Sequence, residues 1–163
     1  MMIQKGFTLV ELLVALAIGS VLMTAAVLSI HQVALGTMRS NDQVAALTDM
    51  DQAVLNIKRD LMMAQETNLT AGNPQSSVIL SWVDYTGFAS ANYTAHSANY
   101  SLSGTNLLRT YDGMTTIVGR QITSIIFTQD DRVISVSVNA TGSRAQRSEN
   151  IEFTGYIRSV PIE

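Results

Sequence analysis

Lys5-Gly6-Phe7-Thr8-Leu9-Val10-Glu11-Leu12-Leu13-Val14 opens a stretch that stays apolar to Ile30, apart from the single carboxylate of Glu11. Read as a helix at about 1.5 Å per residue, residues 7–30 are about 36 Å long, enough to cross a hydrocarbon core of about 30 Å. A secretory signal has an apolar region of only about 7–15 residues ahead of its small-residue cleavage site. Thr24-Ala25-Ala26 could pass for such a site, but the run is too long and Glu11 interrupts it. A plain membrane anchor accounts for the length and leaves Glu11 without a reason. A carboxylate in a spanning helix costs about 2.5–3.5 kcal/mol at the bilayer centre, less near an end, and is read as functional by default. Glu11 needs a cation, and the next basic residue downstream is Arg39. A cut after Gly6 would supply one, the new α-amine of Phe7, about 6 Å along the helix from Glu11. Pairing between one subunit's amine and the next subunit's Glu11 would set an axial stagger.

Gly6-Phe7-Thr8-Leu9-Val10-Glu11, followed by about twenty apolar residues, resembles the N-terminal signature of type IV pilins and type II secretion pseudopilins. The resemblance implies a short basic leader, here residues 1–6 with its charge on Lys5, removed by a membrane prepilin peptidase. It implies Gly6 as the residue before the cut, Phe7 as the N-methylated terminus and Glu11 as the assembly residue. Its implied partners are other subunits packed through the N-terminal helix. One departure is the lack of a proline midway through the apolar segment, since the first proline is Pro74. Gly19-Ser20 is the soft point there: glycine weakens a helix interior by about 1 kcal/mol, and a small pair equally permits close helix packing.

Lys5 and the initiator amine precede the span, and no acid precedes Glu11, so the positive-inside bias keeps the N-terminus cytoplasmic. The chain is expected to cross the inner membrane once, with everything after Ile30 outside it. Losing Lys5 with the leader makes the formal charge of −3 one unit more negative. That balance, with a pI near 5.3, gives no sign of a general nucleic-acid binder. The absence of cysteine excludes disulfides, thiolate zinc sites and cysteine nucleophiles.

Helical character is expected to continue beyond the membrane. Leu47, Met50, Val54, Ile57, Leu61 and Ala64 recur at steps of three and four, on one face of a helix. Asp49, Asp51, Asn56, Lys58, Asp60 and Gln65 fall largely between them. Packing of this stripe on a sheet is preferred to a coiled-coil seam, which needs three or four sustained heptads. A bend is expected around Gly36, Ser40, Asn41 and Asp42, and the helix should stop near Glu66, ahead of the turn residues Thr70-Ala71-Gly72-Asn73-Pro74.

From Ser77 the period changes to that of strands. Residues 78–83 form a short β-rich run, and residues 99–102 and 106–111 flank the hairpin candidate Ser103-Gly104-Thr105. Residues 122–128 alternate with apolar groups on both faces, Asp130-Asp131 makes a turn, and Val133, Ile134, Val136 and Val138 form the next strand. Ile151, Phe153, Tyr156 and Ile157 suggest the last. The expected fold is α+β, a long N-terminal helix followed by an antiparallel β-sheet head. The divisions are a leader at 1–6, a membrane helix at 7–30, a head-packing helix at 31–66 and a β-rich head at 67–163. The order of elements, with Leu107-Leu108-Arg109 on a strand, resembles minor subunits of the PilW and GspJ type. The extended β region and the missing proline favour a minor subunit over the main filament protein.

No catalytic constellation, metal motif or cofactor motif is present. His31 sits at the membrane boundary and His96 in a polar stretch, too far apart to suggest a paired ligand motif. Asp130-Asp131 reads as a solvated turn, lacking the spaced ligands of a calcium loop. Arg144 and Arg147 are too few for a nucleic-acid patch. The segment 82–100 interleaves aromatics with Ser, Thr and Asn. Trp82, Tyr85, Tyr93 and Tyr100 are therefore a possible surface for a partner subunit or glycan, against the plainer reading of aromatics folded back on the sheet. Two functions follow: a filament subunit, or an exported binding module on a membrane anchor.

Overall fold

The computed structural model describes residues 8–84, 93–142 and 148–158. The chain divides into two compact units, residues 1–40 and 41–163. One helix, α1 (Leu9–Met63), contributes residues to both.

In the first unit, every described side chain from Thr8 to Ser40 is exposed. The helix is long and apolar enough to cross a membrane, and its most apolar window is 0% buried. Its hydroxyls return to the backbone: Ser20 donates to the Ala17 carbonyl at 2.8 Å, Thr24 to Ser20 at 2.8 Å and Ser29 to Ala25 at 2.9 Å. Each polar group so satisfied costs less in a medium without water. The helical hydrogen-bond ladder is unbroken at Gly19-Ser20 and through Gly36–Asp42. Small and polar residues lower helix propensity there without interrupting the hydrogen-bond ladder.

Among its described residues the second unit carries the end of α1 and eight strands, all paired antiparallel. They are β1 (Glu66–Thr67), β2 (Val78–Asp84), β3 (Thr94–Ser103), β4 (Asn106–Tyr111), β5 (Met114–Gly119), β6 (Ile122–Asp130), β7 (Val133–Thr141) and β8 (Ser148–Tyr156). One sheet runs β1-β2-β3-β4-β5 and the other β6-β7-β8, so the fold is α+β. The helix stops at Met63, three residues earlier than expected. The Gln65 amide donates to Ser81 O on β2 at 2.9 Å instead of continuing the helix, and Glu66–Thr67 pair as β1.

The expected stripe is the core face: Met50, Ile57 and Ala64 are 0% exposed, and Val54 and Leu61 are also buried. It packs on strands, against Val78, Leu80, Tyr100, Leu107, Phe127, Ile134 and Val136 among others. Two glycines admit the helix closely. A Cβ on Gly119 of β5 would stand 3.1 Å from Ala53 Cβ and 3.2 Å from the Asp49 carbonyl. One on Gly155 of β8 would stand 2.9 Å from Leu61 Cδ1.

The turns explain the topology. Gly104, at φ 61°, closes β3 onto β4 as expected, with Ser103 opposite Asn106. Asp112 and Gly113, at φ 46° and 86°, close β4 onto β5. Both left-handed central residues make this the tight hairpin turn that Asp-Gly favours. Asp131, at φ 52°, turns β6 into β7. A register shift between Ile122 and Ser124 resolves the two-faced pattern of β6. The extra residue turns Ile122 to the core side with Ile125 and Phe127, and leaves Ile126 outside.

Candidate functional site

Lys5, Gly6, Phe7, Tyr85, Arg144 and Arg147 lie outside the described residues. Glu11 stands in the first turn of α1. Its Oε2 accepts from the Thr8 backbone amide at 3.0 Å and from the Thr8 hydroxyl at 3.0 Å, while Thr8 Oγ1 accepts from the Glu11 amide at 3.3 Å. This is the reciprocal capping box, in which Ser or Thr at the cap and Glu three residues on satisfy donors that a helix start leaves free. The Thr8-x-x-Glu11 spacing was visible in the sequence, and the sequence reading passed over it. The carboxylate is thus a local cap. A negative group in the first turn also suits the helix dipole.

The aromatic surface needs correction in the head. Tyr93 is 68% exposed, but Tyr100 is 0% exposed and Trp82 only 7%. Strand alternation decides this. Trp82 shares the helix-facing side of β2 with Val78 and Leu80, and Tyr100 pairs directly with Val78. Both therefore belong to the sheet's inner layer and are withdrawn from any partner surface.

Tyr100 instead belongs to a polar cluster inside the core. Asp60, expected among the outward residues of α1, is 0% exposed. It accepts from Tyr100 Oη at 2.6 Å, Arg109 Nε at 2.6 Å and Arg109 Nη2 at 3.0 Å. Burial, reinforced by the Asp60 carboxylate, pushes the Tyr100 phenol well above its usual range. The hydrogen bonds to Asp60 raise the Arg109 guanidinium despite its partial desolvation. A buried carboxylate is tolerable only when paired and fully hydrogen-bonded, which the fork of arginine provides.

An aromatic ladder continues from this cluster. The Arg109 guanidinium carbon lies 4.7 Å from the Tyr111 ring centre, and Tyr111 stacks on Trp82 at 5.9 Å and on His96 at 5.7 Å. His96, in the polar stretch noted in the sequence, is on β3 opposite Trp82. Its Nδ1 lies 2.6 Å from Asp112 Oδ2, and Asp112 Oδ1 accepts from the Ser97 amide at 2.9 Å. These bonds, His96 first, hold the Asp112 carboxyl below the usual range. The ladder runs from the helix through β4 to the β4–β5 turn and acts as structural cement. Among the described residues no group of three or more His, Asp or Glu side chains converges to hold a metal ion.

A family model described as the prokaryotic N-terminal methylation motif matches residues 1–27. It takes in Gly6, Phe7, Thr8 and Glu11 and ends within the apolar part of α1. No curated protein matches the chain. The chain thus carries a prepilin-type N-terminal signature on an exposed apolar helix, a combination consistent with a single-pass membrane anchor.

Proposed function

We propose that this chain is a structural subunit of a type IV pilus or a type II secretion-like filament. Prepilin peptidase cuts it between Gly6 and Phe7 and methylates Phe7, and it assembles with other subunits through α1. The observation that carries the reading is the match of the methylation motif to residues 1–27, on a helix whose apolar surface its own fold leaves bare. An exposed apolar helix of this length needs a bilayer or other helices around it. Glu11 then has two roles in sequence: it caps its own helix in the free subunit, and it meets a neighbour's Phe7 amine on assembly. The role is structural and not catalytic. The order of elements in the head, with Arg109 on β4, supports a minor subunit of the PilW or GspJ type. The alternative, a binding module on an anchor, is weakened because Trp82 and Tyr100 are buried.

Mass spectrometry of the native N-terminus tests the reading. The expected mature chain begins at N-methylated Phe7, and Gly6→Val blocks the cut, since glycine leaves room for close approach of the peptidase. An intact Met1 or a start at Val27 would overturn it.

A further inference from the structure

The two sheets present their edges very differently. β1 is only two residues long. β6 is covered: Gln75 pairs with Phe127, the Gly72 amide donates to Gln129 O at 2.8 Å, and the Ile122 amide donates to Thr105 O at 3.0 Å. β8 carries Glu149 and Glu152. Among the described residues the edge formed by β5 has none of these guards, and its irregularity is the register shift opposite Leu107 and Leu108. Gly113-Met114-Thr115-Thr116-Ile117-Val118-Gly119 contains no charge and no proline, and Met114 and Ile117 are 76% and 49% exposed. Folded proteins ordinarily shorten, charge or cover an edge, because its free backbone groups template pairing.

The hairpin turn determines which groups are free. With Tyr111 opposite Met114 across a two-residue turn, Met114 and Thr116 exchange backbone bonds with Tyr111 and Arg109. Thr115 and Ile117 therefore point their N–H and C=O groups away from β4, and no described backbone group outside the sheet meets them.

We propose that two copies of this chain pair antiparallel through β5, about a dyad at Thr116. In that register Thr115 of one copy faces Ile117 of the other, so the outward groups of both strands meet in four backbone hydrogen bonds. Thr116 faces its own counterpart in a pair without hydrogen bonds. Charge does not oppose this register: the strand from Gly113 to Gly119 carries no charge of either sign. No like charges are opposed along the ribbon. A ribbon this short is below the size of a permanent interface, so pairing depends on the high local concentration of chains held in one membrane. To that extent it rests on the anchor.

The chain has no cysteine, so cross-linking is clean. Thr116→Cys in the full chain, oxidised mildly in cell membranes, gives a disulfide dimer, because facing residues of such a pair stand about 4.5 Å apart at Cα. Thr115→Cys alone and Ile117→Cys alone stay monomeric, and co-expressing the two restores a dimer. Thr115→Pro removes an outward N–H, spares the β4–β5 ladder and abolishes the Thr116→Cys dimer. Fractionation of the same cells reports anchoring separately, and the chain must be found with the membrane. A membrane-held chain that gives no dimer with Thr116→Cys or with the co-expressed pair overturns the proposal, as does a cross-link to a different protein.

Discussion

Arg109, on the fourth strand, holds Asp60, on the helix, by two hydrogen bonds of 2.6 and 3.0 Å, and the carboxylate is wholly buried. This clamp adds a directional polar tie between the helix and the larger sheet to the close apolar packing at Gly119 and Gly155.

Removing one side of the clamp is expected to cost more than removing both. Asp60→Ala leaves the Arg109 charge without its partner, a loss of about 3–5 kcal/mol. Replacing the pair together by Leu and Met recovers much of it. Tyr100→Phe loses a single hydrogen bond to a charged group, about 1.5–3 kcal/mol. Urea melts of the three variants and the wild type in detergent check the order.

Acid is expected to loosen the turn between the fourth and fifth strands. Asp112 has a depressed carboxyl pKa in the folded chain, through His96 and the Ser97 amide. Its contribution is present above the ordinary carboxylate value of 3.8 and is lost as pH falls through the lower folded value. Asp112→Asn keeps the left-handed backbone tolerable and removes the titration. Melting temperatures of the two proteins should differ at neutral pH, and the difference should shrink as pH falls below 3.8 and vanish below the lower folded value.

Gly119→Ala is expected to destabilise by about 1–3 kcal/mol, as overpacking of a core does. The new methyl would meet the Asp49 carbonyl at 3.2 Å and Ala53 Cβ at 3.1 Å, so the helix must shift as a body. Gly72→Ala meets nothing within 4 Å, and its cost is confined to backbone strain at φ 73°. The same melts compare the two.

The cap and the assembly contact of Glu11 are separable. Thr8→Val removes the hydroxyl that bonds Glu11 and frays the helix start by about 1 kcal/mol. Filament incorporation should survive it, since the carboxylate remains. Glu11→Leu should keep membrane insertion and cleavage but fail to incorporate. Hydrogen exchange at Leu9–Leu12 reads the cap, and the processed fraction in sheared filaments reads assembly. Equal loss of incorporation in both variants would make the cap the whole function of Glu11.

What the sequence determined by itself is whatever local spacing and composition decide. The length of the apolar run, the place of Glu11 in its first turn, the core stripe from Leu47 to Ala64 and the hairpin at Gly104 depend on neighbours within a few residues, and all were legible. The Asp112-Gly113 turn and the Thr8–Glu11 box were equally local, and were missed only because their short signals went unread. Tertiary structure alone decided the rest. Asp60 lies inward because Tyr100 and Arg109, 40 and 49 residues further on, bring it the donors that a buried carboxylate requires. Trp82 and Tyr100 face inward because strand pairing sets their parity, and Ile122 joins Ile125 because a register shift resets it. A side chain's face on a strand is fixed only when the strand has found its partner, and a buried charge only when its counter-charge arrives from elsewhere in the chain.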